Sequence, residues 1–295
     1  MKYLYATMAG VILSLLCSNF LIAQDTLRLV GSVYDSATHQ PVQYVNIGIA
    51  GQGIGTVSND IGKFVLRIPS EKSGDSLTFS YIGYQSKKIK ITSHSDGKPI
   101  AVLLKPKVVQ LKQIEVLSKK LKVKTKGNES RMSAIVFTIS HAFSLGVESG
   151  CVIKLPNKPV YIKDFNFHIV TNNTDSVKFR LNVYSYDGKV GENLLHQNIY
   201  FTVPGKVLGD FKVDLNKYHI VVRGDVFVAV EVVDVYTRAA SPDIKSDEYK
   251  YDRLYISGTV FGSKCLRRKT NFDKWVKFEG IPGTFSIGFW LTVTY

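Results

Sequence analysis

The stretch Lys63-Phe64-Val65-Leu66-Arg67-Ile68-Pro69 decides the fold of the first part of the chain. Phe64, Leu66 and Ile68 recur at every second position, and this period of two predicts a β-strand with one buried face. The same spacing recurs in five further sets: Leu27, Leu29 and Val33; Val45, Ile47 and Ile49; Leu77, Phe79 and Tyr81; Ile89 and Ile91; Ile100, Val102 and Leu104. Segments rich in turn-forming residues separate the sets. Several short strands in so short a segment predict a small β-sandwich over residues 27–104.

The composition extends this prediction to the whole chain. Of 295 residues, 45% are apolar, and 16 Tyr, 16 Phe and 23 Gly stand against three Met. Such a composition favours strands and tight turns over helices. The length predicts about two domains, and the fold class is predicted to be all-β.

Beyond residue 132 the apolar residues again follow strand periods, in longer segments. Turn signals such as Asp187-Gly188 and Pro204-Gly205 separate these segments. We predict strands over residues 161–170, 177–186, 199–203, 211–215, 218–222, 226–233, 251–257 and 284–294. These strands, without a convincing helix, predict a second β-sandwich, a jelly roll, over residues 132–295.

Three segments of the first sandwich carry a resemblance to a known family. They are Gly31-Ser-Val-Tyr-Asp-Ser-Ala-Thr-His-Gln-Pro-Val-Gln-Tyr-Val-Asn-Ile, Gly55-Thr-Val-Ser-Asn-Asp-Ile-Gly-Lys-Phe and Leu77-Thr-Phe-Ser-Tyr-Ile-Gly-Tyr. In this order and spacing they resemble the carboxypeptidase regulatory-like domain family. The resemblance implies a transthyretin-like β-sandwich, common at the start of outer-membrane receptors and other exported proteins of Bacteroidetes-type bacteria. It implies no catalytic residue, because in carboxypeptidases this module only accompanies the zinc peptidase domain.

Residues 1–23 follow the layout of a secretory signal peptide. Lys2 precedes an apolar run from Met8 through Leu16, and Ala23 offers a cleavage site before Gln24. The run is shorter than the roughly 20 apolar residues that a membrane-spanning helix needs, although an uncleaved anchor is the alternative. We therefore expect export to the periplasm, the outer-membrane surface or the medium, with no transmembrane helix in the mature chain.

The chain is basic, and one stretch is especially so. Lys and Arg outnumber Asp and Glu by 38 to 24, a formal charge of +14. Such a balance suits an anionic partner, but export argues against nucleic acid. Residues 105–131 contain eight Lys. We expect this stretch to form a short strand against the first sandwich and then an exposed linker, which is either simply solvated or binds phosphate groups of lipid or polysaccharide.

Two cysteines follow the predicted signal peptide, Cys151 and Cys265. An even pair in an oxidising compartment permits a disulfide. Two buried free thiols are the alternative, because unpaired Cys is among the most buried residue types.

The common catalytic constellations are missing from the sequence. The six His are scattered, and none has the nearby His or Glu that a zinc site on one rigid element requires. No Ser has the flanking glycines of a nucleophile elbow. We therefore predict that the protein is not an enzyme and holds no metal or cofactor.

The alternative is a glycan-acting hydrolase whose paired carboxylates come from separate strands. Its candidate carboxylates are Glu192, Glu231, Asp225 and Asp234. Glu231 lies out of phase with the apolar side chains of Val230 and Val232, so we expect it on the outer, solvated face of its strand.

Exposed aromatic side chains are the candidates for ligand binding, since flat rings pack against the apolar faces of sugars. Trp275, Tyr249 and Tyr251 lie beside Lys residues, so we expect these three at the surface. Together these features predict a non-enzymatic exported envelope protein with a binding, structural or adhesion role. We expect its partner, an envelope glycan or protein, to bind loops of the second sandwich. No pattern in the sequence indicates an oligomeric state.

Overall fold

The structure is a computed structural model that describes residues 25–92, 97–107, 122–141, 144–236, 253–278 and 285–295. Within these residues the regular structure is almost entirely β, which confirms the predicted all-β fold class. The strands of the first part are β1 (Thr26–Asp35), β2 (Asn46–Ile49), β3 (Ile54–Val57), β4 (Lys63–Pro69), β5 (Ser76–Ser80), β6 (Lys87–Lys90) and β7 (Pro99–Leu104). The strands that follow are β8 (Val123–Gly127), β9 (Val136–His141), β10 (Glu148–Ile153), β11 (Val160–Asn172), β12 (Ser176–Asp187), β13 (Lys189–Asn193), β14 (Ile199–Pro204), β15 (Gly209–Asp214), β16 (Val221–Val222), β17 (Val226–Tyr236), β18 (Arg253–Thr259), β19 (Cys265–Arg268), β20 (Ser286–Ile287) and β21 (Phe289–Thr294).

Short 3-10 helices interrupt the strands at Ser70–Lys72 and Asn216–Tyr218. In the part of the chain that is described, no helix has the length and apolar character needed to cross a membrane.

Strands β1–β7 form the first sandwich. One sheet has the order β4-β1-β7, and the other has the order β3-β2-β5-β6. Along β4 exposed and buried side chains alternate as predicted, so that Phe64, Leu66 and Ile68 enter the core. The core between the two sheets consists of Leu29, Val33, Val42, Val45, Ile47, Ile49, Phe64, Leu66, Ile68, Leu77, Phe79, Ile91, Val102 and Leu104.

Strands β8–β21 form the second sandwich, also from two sheets. Sheet C, as we name it, has the order β13-β12-β17-β10-β19, with β14 also paired to β12. Sheet D has the order β20-β18-β11-β21-β8, with β15 and β16 paired to β11 and β9 paired to β18. The inner faces of sheets C and D enclose the larger core, and a cluster of rings packs at its centre: Phe165, Phe167, Phe179, Phe201 and Phe289.

The basic stretch 105–131 differs from the predicted linker at its end. Residues Val123–Gly127 form β8, which pairs with β21 at the edge of sheet D. The second sandwich therefore begins before residue 132. Lys124 and Lys126 belong to this edge strand, where Lys discourages pairing with other chains. The short strand predicted against the first sandwich falls within residues 108–121, outside the described residues.

The sequence periods do not predict all the strands of the second sandwich. Strand β10 is buried along its whole length, and its mixture of Glu, Ser, Gly and Cys hides any apolar period. The predicted strand 218–222 is shorter, because the 3-10 helix Asn216–Tyr218 and a left-handed His219 (φ 49°) occupy its first half. Neither β10 nor β19 is predicted from the sequence, and these two strands carry half of the candidate site.

The outer face of sheet C is buried as well as its inner face. Every side chain from Val226 to Val233 in β17 is buried. On the outer face, Val233 packs with Tyr44 and Val57 of the first sandwich. The two sandwiches therefore share an interface, and the candidate functional site lies there.

Candidate functional site

Four charged side chains form one row across the outer face of sheet C. Arg180 of β12 is the register partner of Glu231 in β17, Glu231 is the partner of Glu148 in β10, and Glu148 is the partner of Arg268 in β19. All four are buried, with at most 8% of any residue exposed. The row reads Arg-Glu-Glu-Arg, so its formal charges cancel.

Glu148 has a full set of hydrogen-bond partners. Its Oε2 accepts a hydrogen bond of 2.7 Å from Arg268 Nε. Its Oε1 accepts bonds of 2.8 Å from Asn182 Nδ2 and 2.8 Å from the Tyr184 hydroxyl. Arg268 is held in turn by Asn271, whose Oδ1 lies 2.6 Å from Arg268 Nη2. This half of the row is a satisfied ionic network.

Glu231 and Arg180 are less well satisfied. Arg180 Nε lies 3.5 Å from Glu231 Oε2, which is an ion pair without hydrogen-bond geometry. Within the described residues, Glu231 Oε1 and Arg180 Nε have no hydrogen-bond partner. Burial raises the pKa of Glu231 above its ordinary value, because desolvation disfavours the carboxylate. Leaving polar atoms of a buried ion pair without hydrogen bonds is costly, so this half of the row has room for a further partner.

The first sandwich covers Arg180 through two tyrosines. The Arg180 guanidinium donates through Nη2 to the backbone carbonyl of Tyr44, a buried residue in left-handed conformation (φ 52°). Lys178 Nζ donates to the Tyr44 hydroxyl at 2.8 Å. The guanidinium also stacks over the ring of Tyr81, 5.7 Å from its centroid, and the Tyr81 hydroxyl accepts a 3.2 Å bond from Tyr200. These contacts join the sandwiches beside Glu231, whose Oε1 has no hydrogen-bond partner among the described residues.

A second contact between the sandwiches uses the glycine-rich hairpin β2–β3. The backbone N–H of Gly51 donates to the Phe272 carbonyl at 3.3 Å, and that of Gly53 donates to Asp273 Oδ1 at 3.0 Å. A side chain on Gly55 would meet Thr270 Cγ2 at 2.7 Å. The hairpin therefore needs glycine to approach the loop 269–273 that follows β19.

A cavity of about 200 Å³ lies between the sandwiches at this point. One water needs only about 10–15 Å³, so the cavity has room for more than a single solvent molecule. Four of its ten lining residues come from the first sandwich. The lining consists of Asn46, Ser80, Tyr81, Ile82, Arg180, Asn182, Tyr184, Asn193, Glu231 and Asn271. Glu231 and Arg180, the two groups with unpaired atoms, are both part of it.

Trp275, the predicted aromatic ligand residue within the described part of the chain, does not line this cavity. Trp275 is half-buried on the outer face of sheet C, where its ring contacts Tyr184 and Phe227 and lies 4.3 Å from the Arg268 guanidinium. It supports the satisfied half of the row instead of lying free at the surface. Tyr249 and Tyr251 lie outside the described residues.

Of the four candidate carboxylates, the structure brings only Glu231 into the cavity. Its side chain does point to the outer face, but the expectation that it is solvated is wrong, because the first sandwich covers that face. Asp225 instead pairs with Lys154 at 2.6 Å. Glu192 is exposed on β13 and Asp234 is half-buried near the end of β17.

Sequence reasoning missed Glu148, Arg180 and Arg268. One signal was available: the unbroken apolar run from Val226 to Val230 is typical of a strand that is buried on both faces. A polar residue within such a strand, such as Glu231, then requires buried partners. The partners themselves are far apart in sequence, so only the strand register identifies them.

Among the described residues, no group of three or more His, Cys, Asp or Glu side chains is arranged to hold a metal ion. Cys151 and Cys265 are both buried free thiols in the core of the second sandwich.

Comparison with solved structures gave distant similarities. A clostridial cysteine protease, Cwp84 after propeptide cleavage, is 10% identical, with a TM-score of 0.39 over 94% of this chain and 73% of that one. The cysteine protease and lectin-like domains of Cwp84, a surface layer associated protein of Clostridium difficile, are 10% identical, with a TM-score of 0.37 over 85% and 59%. A structure of infectious bursal disease virus, Gx strain, is 11% identical, with a TM-score of 0.23 over 91% and 59%. Scores this low carry no argument about function.

Comparison with curated proteins found no match. The family comparison matched residues 29–116 to the CarboxypepD_reg-like domain, in agreement with the strand pattern and the three quoted segments. The N-terminal part of this chain, residues 29–116, is therefore a carboxypeptidase regulatory-like domain.

Proposed function

We propose that the protein is a non-enzymatic, exported binding protein of the cell envelope, and that the cavity between its sandwiches binds a neutral, hydroxyl-rich ligand such as a sugar unit of an envelope glycan. One observation carries the proposal. Glu231 Oε1 and Arg180 Nε are buried and unpaired, and both residues line the cavity. A ligand in the cavity would lie beside both residues and would pair with these two atoms once their side chains turn toward it.

A hydroxyl group fits these two atoms because it both donates and accepts. It would donate to Glu231 Oε1 and accept from Arg180 Nε. The charges of the Arg-Glu-Glu-Arg row already cancel, so a charged ligand would bring an unbalanced charge into a buried site. Amide and hydroxyl groups make up most of the remaining polar lining, at Asn46, Ser80 and Asn193 among others. The site therefore favours a neutral polyol over an acid or an amine.

Export rests on the sequence. The basic start, the apolar run and Ala23 have the order of a secretory signal. Carboxypeptidase regulatory-like domains of the Bacteroidetes type are common in exported proteins, which supports the same compartment. An envelope protein meets glycans at high local concentration, which suits a site selective for hydroxyl groups.

The arrangement also suggests a second candidate function, glycan hydrolysis, because Glu148 and Glu231 are directly opposed on neighbouring strands. Two carboxyl groups, one with a raised pKa, are what such an enzyme needs. Glu148 argues for binding instead. It is wholly buried, its oxygens are occupied by Arg268, Asn182 and Tyr184, and it is not part of the cavity lining. One carboxylate, not two, can reach a ligand.

Calorimetric titration of the purified protein with neutral sugars and their acidic counterparts tests the proposal. The probes are galactose, mannose, glucose and N-acetylglucosamine, alone and as β-linked disaccharides, with galacturonic and glucuronic acid for comparison. We expect saturable binding of at least one neutral probe and weaker binding of its uronic acid. Glu231→Gln and Asn193→Ala should weaken that binding at least tenfold. Glu192→Gln, next to Asn193 on β13 but outside the cavity lining, is the matched control and should bind as the native chain does.

The same samples separate the two candidate functions. If nitrophenyl glycosides are hydrolysed by the native protein and not by Glu231→Gln, the protein is an enzyme and the non-enzymatic proposal is wrong. If every probe binds Glu231→Gln as well as it binds the native chain, the cavity is not the binding site.

A further inference from the structure

The two free cysteines lie opposite each other on neighbouring strands. Cys151 of β10 is the register partner of Cys265 in β19. The next pair in this register is Val152 and Lys264, and a backbone hydrogen bond of 3.0 Å from the Val152 N–H to the Lys264 carbonyl joins them. Antiparallel pairs alternate between hydrogen-bonded and non-hydrogen-bonded types, so Cys151 and Cys265 form the non-hydrogen-bonded, closer type. Its usual Cα separation of about 4.5 Å falls within the range that a disulfide spans.

Both thiols point to the same side of sheet C. They belong to the core between sheets C and D, and Cys151 is 1% exposed. Cys265 Sγ accepts a 3.1 Å hydrogen bond from the Ile287 N–H and lies 3.5 Å from Ser286 Oγ. Side chains that share a strand register, a face and a core need no backbone movement to meet.

The surroundings distinguish the two thiols. A hydrogen bond with Cys265 and burial raise the pKa of Cys151. For Cys265, burial opposes ionisation, but hydrogen bonds from Cys151, Ser286 and the Ile287 backbone outweigh it and lower the pKa. Cys265 is thus the better thiolate nucleophile of the pair.

We propose that Cys151 and Cys265 are a redox-active dithiol that closes to an intrachain disulfide when the chain folds in the presence of a disulfide oxidant. The Cys265 thiolate attacks one sulfur of the oxidant and releases the other as a thiol. Cys151, on losing its proton, then attacks the mixed disulfide at Cys265 and releases the second thiol. Two electrons pass from the protein to the oxidant, and the two protein protons end on the released thiols.

The bond would act on β19, the strand that carries Arg268 of the candidate site. Strand β19 has only four residues and lies at the edge of sheet C. It carries Arg268, the partner of Glu148, and leads into the loop that contacts Gly51 and Gly53 of the first sandwich. A disulfide would fasten this edge strand covalently to β10. The inference does not depend on the cavity binding a sugar.

The test compares two preparations of the native full chain. One is unfolded in urea and refolded in a mixture of reduced and oxidised glutathione, and the other is refolded in dithiothreitol. Free thiols are then alkylated under denaturing conditions and the peptides are identified by mass spectrometry without reduction. We expect a peptide containing Cys151 joined to one containing Cys265 in the first preparation only, and a melting temperature at least about 5 °C higher in that preparation.

Single variants check the assignment. Cys151→Ala and Cys265→Ala should each melt at the same temperature in both preparations. The comparison of the two native preparations stands even if a variant fails to fold. Alkylation of both thiols after refolding with oxidised glutathione would overturn the proposal. Mixed disulfides with glutathione at either residue, in place of the joined peptides, would overturn it as well.

Discussion

Glu148 and Glu231 are neighbours on adjacent strands of sheet C, but their hydrogen-bonding environments differ. Glu148 is held by Arg268, Asn182 and Tyr184, so its charge is compensated. Glu231 has an ion pair at 3.5 Å and one unpaired oxygen. Burying an ion that is incompletely paired costs several kcal/mol. Glu148 is therefore satisfied within the fold, and the unpaired oxygen of Glu231 is the basis of the proposed ligand site.

The raised pKa of Glu231 gives a pH test of stability. Because its pKa is higher in the folded than in the unfolded chain, the folded chain binds more protons between the two values. The contribution of Glu231 to the unfolding free energy is therefore fully present below its pKa in the unfolded chain. This contribution is lost as the pH rises through its pKa in the folded chain. Glu231→Gln removes this titration. We expect the unfolding free energy of the native chain, relative to Glu231→Gln, to fall with rising pH by about 1.4 kcal/mol per unit of pKa difference.

Urea denaturation of both chains between pH 4 and pH 8 measures this difference. A relative stability that rises with pH would show that the folded protein favours the charged carboxylate, and the argument for an unsatisfied Glu231 would then be wrong.

At the scale of single elements, the hairpin β2–β3 and the loop 269–273 fit together only because glycines face the loop. A Cβ on Gly48 would approach Phe272 Cδ2 to 2.9 Å, and one on Gly55 would approach Thr270 Cγ2 to 2.7 Å. The loop is itself braced, since Asp273 Oδ2 accepts bonds from both the backbone N–H and the hydroxyl of Thr270. The hairpin therefore acts as a flat contact surface.

Gly55→Ala should lower the unfolding free energy by about 1–3 kcal/mol, because the methyl group overpacks against Thr270 Cγ2 and against the Ile47 carbonyl, each at 2.7 Å. A second substitution, Thr270→Ser, removes the opposing methyl group but keeps the hydroxyl. The double variant Gly55→Ala/Thr270→Ser should therefore recover part of the unfolding free energy that Gly55→Ala loses. Gly188→Asn is the control: Gly188 lies in an open hairpin turn at φ 69°, with nothing near its missing Cβ. Urea titrations of the native chain and of these four variants check this. A Gly55→Ala chain as stable as Gly188→Asn would contradict the tight contact.

At the scale of the whole molecule, two separate cores are joined by a buried interface. The first core lies within residues 29–104, and the core between sheets C and D is separate. Tyr44 connects them, since it belongs to the first sandwich but packs against Val233 and against Tyr200, 5.1 Å away. We expect this buried contact to couple the unfolding of the two sandwiches.

Both tryptophans, Trp275 and Trp290, belong to the second sandwich, so their fluorescence reports on it alone. Phe64→Ala damages only the first core and should cost about 3–5 kcal/mol. If the sandwiches unfold together, the urea midpoint of the Trp fluorescence should shift as far as that of the far-ultraviolet circular dichroism. The further variant Tyr44→Ala should separate the two signals. An unchanged Trp midpoint in Phe64→Ala alone would show that the sandwiches are uncoupled.

Local sequence patterns predict the all-β fold class, six of the seven strands of the first sandwich (all but β3) and the family that this part of the chain resembles. Alternation such as that of Phe64, Leu66 and Ile68 is local, because one strand's period shows which of its faces is buried. Local patterns failed where burial is not one-sided. Strand β10, buried on both faces, has no period to detect.

The candidate site was decided only by the tertiary structure. Arg180, Glu231, Glu148 and Arg268 form a row because four strands pair in one register, and no spacing in the sequence predicts a register between distant strands. The same pairing places Cys151 beside Cys265. Whether Glu231 is solvated or buried depends on what covers the outer face of its sheet, and that cover comes from Tyr44 and Tyr81, more than a hundred residues earlier in the chain.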